Sequence, residues 1–306
     1  MNQRAAILSL QHVVKKYHNH IAVNDVSFDV GQGSIFGLLG PNGAGKTSII
    51  RIITRITGAD AGEIFLNGEK LQDHHPAQIG YMPEERGLYK KMKVGEQLIY
   101  LAQLKGLSYR DARQKLNGWM KKFDITSWWD KKISDLSKGM QQKVQFIATV
   151  VHEPSLIILD EPFSGLDPIN ANLIKDEIYN LRKNGSSIIF STHRMEQVEE
   201  ICEKIVLINK GRKILDGAVR DIKQSFKDNI YSVKYDGQME LIVLEQAGFE
   251  IKEKNNGSLQ LKLGQHQSPN ELLKILMLQG IEIHHFNEVL PGLNEIFIKQ
   301  VASSNE

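Results

Sequence analysis

The chain has 306 residues, 41% of them hydrophobic and 24% charged, with 8 Pro and 25 Gly; that length and balance bury a core and exclude both a disulfide-stapled miniprotein and a wholly disordered chain. Thirty-eight basic residues against 36 acidic ones leave a formal charge of +2, too even to point to polyanion binding from charge alone. The sum hides a division, because residues 221–306 hold 8 Lys, no Arg and 12 acids, so the positive excess lies entirely in residues 1–220. Cys202 has no intrachain disulfide partner, the N-terminus lacks the charged-then-apolar run of a secretory signal, and no apolar run approaches a membrane span. The expectation is a cytosolic chain; if it serves a membrane process, another polypeptide crosses the bilayer.

Strand signals open the chain: residues 7–14 are rich in β-formers and 26–30 alternate apolar and polar positions. Residues 34–39 form a short apolar run that ends in a glycine-rich loop, after which Ile49, Ile50, Ile52, Ile53 and Ile56 recur at helical spacing. Residues 63–66 and 70–71 flank Asn67-Gly68, which predicts a hairpin. From about Gly95 to Phe123 the period turns helical. One stripe is Leu98, Leu101 and Ala102; the other is Ala112, Leu116, Trp119, Met120 and Phe123, opened by Ser108 with Asp111 three residues on. An α/β pattern then returns, with strands at 156–159 and 187–191, helices at 169–183 and 195–204, and a closing hairpin from 206–208 and 213–215. Residues 217–229 read as a polar connector. Beyond them the order βαββαβ predicts a small ferredoxin-like α+β domain, with a last helix within 291–301.

Three motifs carry chemistry. Gly40-Pro41-Asn42-Gly43-Ala44-Gly45-Lys46-Thr47 fits G-x-x-x-x-G-K-[ST], placed between a buried strand and a helix as a phosphate loop requires. Its glycines let backbone N–H groups curl around phosphates, Lys46 neutralises them, and the Thr47 hydroxyl suits Mg²⁺. A glycine-rich turn that binds nothing is the plain alternative, and the flanking strand and helix weigh against it. The run Leu156-Ile157-Ile158-Leu159 ends in Asp160-Glu161, putting two carboxylates at the carboxyl end of a core strand, where open α/β sheets bind ligands. Asp160 is suited to hold Mg²⁺ and Glu161 to polarise a water in line with the γ-phosphate. His193, in Ser191-Thr192-His193, follows another apolar strand and is a candidate donor to the same phosphate.

These residues together resemble the nucleotide-binding subunit of an ATP-binding-cassette (ABC) transporter over about residues 7–217. Further strings in the family's order carry the likeness: Tyr17 with Val26-Ser27-Phe28 is similar to the adenine-stacking region, Leu136-Ser137-Lys138-Gly139-Met140-Gln141-Gln142 to the signature, Ser164-Gly165-Leu166-Asp167 to the D-loop, and His193 to the switch histidine. The resemblance implies an α/β P-loop cassette, a mixed sheet with a helical subdomain inserted at about 88–150, over residues 1–220, and an accessory domain over 229–306. It implies ATP and Mg²⁺ as cofactors: Tyr17 stacking adenine, Asn42, Gly43, Gly45, Lys46, Thr47 and Ser48 around phosphate, and Thr47 and Asp160 on the metal. Glu161 and His193 take the catalytic roles. Ser137 and Gly139 are implied to form a second anion site that meets the ATP of a partner subunit, in a head-to-tail homodimer or heterodimer. The implied partner is an integral membrane permease and the implied location the cytoplasmic face of the membrane; no nucleic acid is expected.

Two departures stand out. Lys138 and Met140 interrupt the commonest signature, and Glu84, in Gly80-Tyr81-Met82-Pro83-Glu84-Glu85, stands where the family usually has Gln. Glu84 is therefore a candidate metal ligand that also repels phosphate. Similar Pro-Glu-Glu and Leu-Ser-Lys-Gly-Met strings with an added C-terminal domain resemble two-component bacterial exporters, including sodium- and drug-efflux systems. The rival is a soluble ABC ATPase acting on ribosomes or DNA, which typically pairs two cassettes or inserts long coiled coils. Leu88, Tyr89, Met92 and Val94 follow the loop where the family docks its permease, with ordinary packing of the helical subdomain as the competing reading. His74-His75 and His284-His285, adjacent and so expected to diverge, read as solvated residues, as do Lys90, Lys91, Lys93, Lys131 and Lys132.

Overall fold

A computed structural model describes residues 5–85 and 87–303. In chain order it has β1 (Ala6–Tyr17), β2 (His20–Gly31), β3 (Ile35–Leu39), α1 (Lys46–Ile53), β4 (Ala61–Leu66), β5 (Glu69–Lys70) and β6 (Ile79–Met82). Three longer helices follow, α2 (Val94–Leu104), α3 (Tyr109–Lys122) and α4 (Lys138–Val150). Then come β7 (Leu156–Asp160), α5 (Pro168–Lys183), β8 (Ser187–Ser191), α6 (Met195–Ile201), β9 (Lys204–Asn209), β10 (Arg212–Ala218) and α7 (Val219–Ser225). The chain separates into two compact units that meet between Val219 and Arg220.

The first unit holds two sheets. One is antiparallel, in the order β2-β1-β4-β5; the other is the six-stranded core sheet β10-β9-β3-β8-β7-β6. Every residue of β3, β7 and β8 is buried. That explains why these strands read as unbroken apolar runs, since parallel strands covered on both faces have no polar side. β6 lies at the edge of this sheet and is only four residues long. Its Gly80 and Tyr81 dilute the apolar signal, and the sequence alone did not mark it as a strand.

Between β6 and β7 the chain runs as helices. Leu98, Ala102, Ala112, Leu116 and Met120 of the two stripes are buried, and Trp119, Phe123 and Phe146 form a cluster with ring centroids 5.8 to 6.3 Å apart. Fully burying a Leu, Met or Phe of this set contributes about 1.5–3 kcal/mol each. Lys122 Nζ reaches Glu177 Oε2 of α5 at 2.5 Å, tying α3 to the core. The Ser108 hydroxyl accepts from Asp111 N at 3.1 Å, as its spacing predicts. Ser108→Ala is expected to cost about 1 kcal/mol, read as a lower urea midpoint at unchanged slope; a midpoint equal to the parent's would deny the cap that role.

Two boundaries differ from the sequence reading. The helix expected over 195–204 ends at Ile201 because Lys204 already belongs to β9, beside β3. The connector expected over 217–229 contains α7, whose Val219 and Ile222 are buried.

The second unit comprises β11 (Ile230–Asp236), α8 (Leu241–Gln246), β12 (Glu250–Asn255), β13 (Ser258–Lys262), α9 (Pro269–Leu278), β14 (Glu282–Val289) and α10 (Leu293–Ser303). Its sheet order is β12-β13-β11-β14 and every pair is antiparallel, the split arrangement that a βαββαβ chain forms when each helix returns over one face. Val233, Leu244, Leu259, Leu261, Leu272 and Leu276 are fully buried at its centre.

Candidate functional site

Strands β3, β8, β7 and β6 lie side by side and parallel. Leu38 sits beside Ser191, Ser191 beside Asp160, and Leu159 beside Met82. Their carboxyl ends therefore form one edge, from which emerge the glycine-rich loop, Thr192-His193, Glu161-Pro162 and Pro83-Glu84. Residues more than a hundred positions apart are brought together by register alone.

Gly45, with φ of 110°, turns the loop into α1, so the N–H groups of the first helical turn face the loop. Lys46 Nζ donates to the carbonyls of Gly40 at 2.6 Å and Pro41 at 3.1 Å. Burial lowers the Lys46 pKa, and the charges of Asp160, Glu161 and Glu84 oppose that shift, so all three carboxylates act on this ammonium. Asn42, Gly43 and Thr47 are exposed and Ser48 is half-buried. Asp160 is 7% exposed; burial raises its carboxyl, the charges of Glu84 and Glu161 add to the rise and Lys46 opposes it.

Glu161 adopts φ of 50°, a left-handed conformation that costs about 1–2 kcal/mol for a residue with a Cβ. Such strain persists where the surroundings over-determine it, and here they do. Its Oε1 accepts from the His193 backbone N–H at 2.9 Å and meets the His193 Nδ1 at 2.6 Å, while Oε2 accepts from the Thr192 hydroxyl at 3.0 Å. The two candidate catalytic residues are thus bonded to each other, and Thr192 joins them. Glu84 is exposed and one residue past Pro83. Beside it, burial and the Asp160 charge push the Tyr81 phenol up to about 12.

Ser137 and Gly139 lie apart from this cluster, in a cleft of about 430 Å³ lined also by Trp128, Lys138, Gly165 and Asp167. Ser137 caps α4, its Oγ accepting from Met140 N at 3.3 Å. Asp167 likewise caps α5, accepting from Asn170 N at 3.0 Å. Tyr17 ends β1 at 38% exposure, with Lys15 Nζ 5.4 Å from its ring centroid. The return strand β2 of its hairpin touches the phosphate loop, since a Cβ on Gly45 would stand 2.3 Å from the Ala22 carbonyl oxygen.

Sequence reasoning missed two amides on α4. Gln142 Nε2 donates to Pro162 O at 2.9 Å, and Gln145 Nε2 to Pro83 O at 2.8 Å. One helix thereby holds the turns after both β7 and β6. The histidine pair also differs from expectation: the His74 and His75 rings stack at 4.1 Å, each with Nε2 3.6 Å from Glu69 Oε2, because a 3₁₀ turn at His75–Gln78 swings them to one side. His75 is buried and its Nδ1 accepts from Gln72 N at 2.8 Å, which puts the proton on Nε2 and disfavours metal ligation there. Of the four residues after Pro83-Glu84-Glu85 singled out in the sequence, Leu88 lines a groove, Tyr89 is exposed, Met92 is half-buried and Val94 is fully buried.

A phosphate loop, a buried strand-end carboxylate pair and a strand-end histidine on neighbouring parallel strands define a P-loop nucleotide-binding cassette. The family described as ABC transporter matches residues 23–164, and that described as ATP-binding protein DrrA1-3-like, C-terminal domain, matches residues 217–301. The ABC transporter ATP-binding protein YhaQ of Bacillus subtilis (strain 168) is 41% identical over 300 residues, covering 98% of this chain and all of that protein. The Nod factor export ATP-binding protein I of Burkholderia thailandensis is 35% identical over 223 residues, 72% of this chain and 73% of that one. A solved ATP binding subunit of an ABC transporter superposes with a TM-score of 0.68 at 31% identity, covering 72% of this chain and 93% of that one. The chain belongs to the family of ABC transporter ATP-binding proteins. Among the described residues no helix is long and apolar enough to cross a membrane.

Proposed function

We propose that two such subunits, identical or paired with a second kind, bind ATP head to tail on the cytoplasmic face of a membrane, hydrolyse it, and drive an integral membrane permease that exports its cargo. The observation that carries this reading is the shared strand edge, where Lys46, Asp160, Glu161 and His193 converge while Ser137 and Gly139 open a separate cleft. A chain with a phosphate loop in one place and an anion-suited helix start in another needs a second copy to close both on one nucleotide. Export is supported by the relative named for Nod factor export.

The roles follow from position. Asn42, Gly43, Gly45, Lys46, Thr47 and Ser48 surround the phosphates, and Tyr17 stacks on the base. The Thr47 hydroxyl and the buried Asp160 carboxylate are oxygen donors that fit Mg²⁺, with Glu84 at the margin of that set. Mg²⁺ would supply neutralisation of charge on the phosphate oxygens. Glu161 orients and deprotonates the attacking water, and His193, turned by its Nδ1 bond to Glu161, faces the γ-phosphate. The permease docks at the groove beside β6, which Leu88 lines. Against the rival, the described residues hold one cassette and no long coiled coil.

The test is phosphate release by the purified chain, together with recovery of a multi-spanning protein from solubilised membranes in the presence of ATP. A chain that binds ATP without releasing phosphate, or that brings down ribosomes instead, would sink the reading. Glu84→Ala is expected to slow turnover about tenfold, near 1.4 kcal/mol in the barrier, because it removes a charge acting on both Lys46 and Asp160. Unchanged turnover would leave Glu84 outside the site.

A further inference from the structure

The groove beside β6 has a volume of about 430 Å³ and is walled by α2, α4 and the strand itself. Its lining is mainly apolar, with Ile56, Ile79, Leu88, Leu101 and Leu104 prominent, and among the described residues contains no aspartate or glutamate. Ile56 and Leu104 stand at its rim, 62% and 64% exposed. Among the described residues one cation lines this surface, Lys105, from the C-terminal cap of α2.

Lys105 Nζ donates to Pro76 O at 2.7 Å and Ile79 O at 2.9 Å. An ammonium has three N–H donors, so one remains to be directed elsewhere. Among the described residues no carboxylate lies within ion-pairing distance of it. Its pKa is lowered by burial, and no opposing negative charge acts on it. His152, which also lines the groove, does not share the charge: burial and the nearby Lys105 push it down to about 4, so the ring is neutral at pH 7. Among the described residues the groove therefore carries a single, half-buried positive charge in largely apolar surroundings. A charge in that position is costly without a counter-ion and is stabilised by one delivered into the same low-dielectric space.

We propose that this groove recognises a cytoplasmic segment of the membrane partner which presents apolar side chains around one carboxylate, the carboxylate pairing with Lys105. The inference rests on the reading of this chain as a permease-coupled subunit. Charge complementarity selects an acidic segment over a basic one, and the walls of Ile56, Ile79, Leu88, Leu101 and Leu104 select a peptide over a free phosphate, which would leave that apolar surface uncovered. Position gives the pairing a consequence. Tyr81, Pro83 and Gln145 line the same groove, Gln145 holds the Pro83 carbonyl, and the next residue, Glu84, acts on Lys46 and Asp160. An occupant bonded to Lys105 thus presses on the strand whose end reaches the nucleotide edge.

The test uses the tagged full chain, recovered with its membrane protein from solubilised membranes, alongside Lys105→Arg, Lys105→Gln and Lys105→Glu. Lys105→Gln keeps amide donors for Pro76 and Ile79, so it separates lost charge from lost folding, and ATP turnover by each isolated variant checks the fold independently. Recovery is expected to match the parent in Lys105→Arg, to fall about tenfold in Lys105→Gln and further in Lys105→Glu. Exchange of the matching partner acid for lysine restores recovery with Lys105→Glu. Parental recovery with Lys105→Gln and Lys105→Glu would overturn the pairing while leaving the permease reading intact. Failure of the parent chain to recover any multi-spanning protein would overturn both.

Discussion

Glu161→Gln is expected to bind ATP as tightly as the parent and to lose turnover by two to four orders of magnitude, the range for removing a positioned general base. The substitution is close to isosteric where it matters. A glutamine carbonyl in the place of Oε1 still accepts the His193 backbone N–H, and its amide in the place of Oε2 faces a Thr192 hydroxyl that can turn to accept. The strained φ of 50° is thus still over-determined and the loop keeps its shape. What disappears is basicity, together with the charge that meets the His193 Nδ1. Phosphate release in single turnover reads the chemistry, and sedimentation with ATP reads the closed dimer expected to accumulate. Turnover near the parent's rate would move the base elsewhere.

Gly45→Ala is the second large effect. A Cβ at Gly45 would lie 2.3 Å from the Ala22 carbonyl oxygen, a backbone atom fixed in β2, and the residue sits at φ of 110°. Either β2 or the loop has to move, so ATP affinity is expected to fall more than a hundredfold, with about 2–4 kcal/mol of stability lost as well. Gly43 makes the comparison informative: it is also left-handed, at φ of 77°, but nothing lies within 4 Å of its would-be Cβ. Gly43→Ala should therefore cost only the backbone term, about 1–2 kcal/mol. Nucleotide titration and thermal unfolding of the two variants separate the cases, and equal behaviour would show that the Ala22 contact does not govern the loop.

Much of this was legible in the sequence because the relevant signals are local. The phosphate loop, the run into Asp160-Glu161, the caps at Ser108 and Ser137, and the βαββαβ order each occupy a few consecutive residues or one period. Fully buried parallel strands announce themselves as apolar runs, which is why β3, β7 and β8 were found and the edge strand β6 was not. What escaped depends on partners distant in sequence. Gln142 and Gln145 look like ordinary polar residues of a helix until Pro162 and Pro83 arrive beside them. Lys105 is one lysine among many until Pro76 and Ile79 bury it. The histidine pair failed for a different reason: alternation holds for extended backbone, and a 3₁₀ turn begins at His75.

Helix α4 spans 13 residues, about 20 Å at 1.5 Å per residue. Its first turn belongs to the cleft of Ser137, while its two amides clasp carbonyls of proline, a residue whose missing N–H already weakens the local ladder. The turns after β6 and β7 thereby lean on the same rod. A tilt of that rod cannot be registered at one of its three attachments and ignored at the others, so the groove end and the cleft end are joined like the two arms of a balance beam.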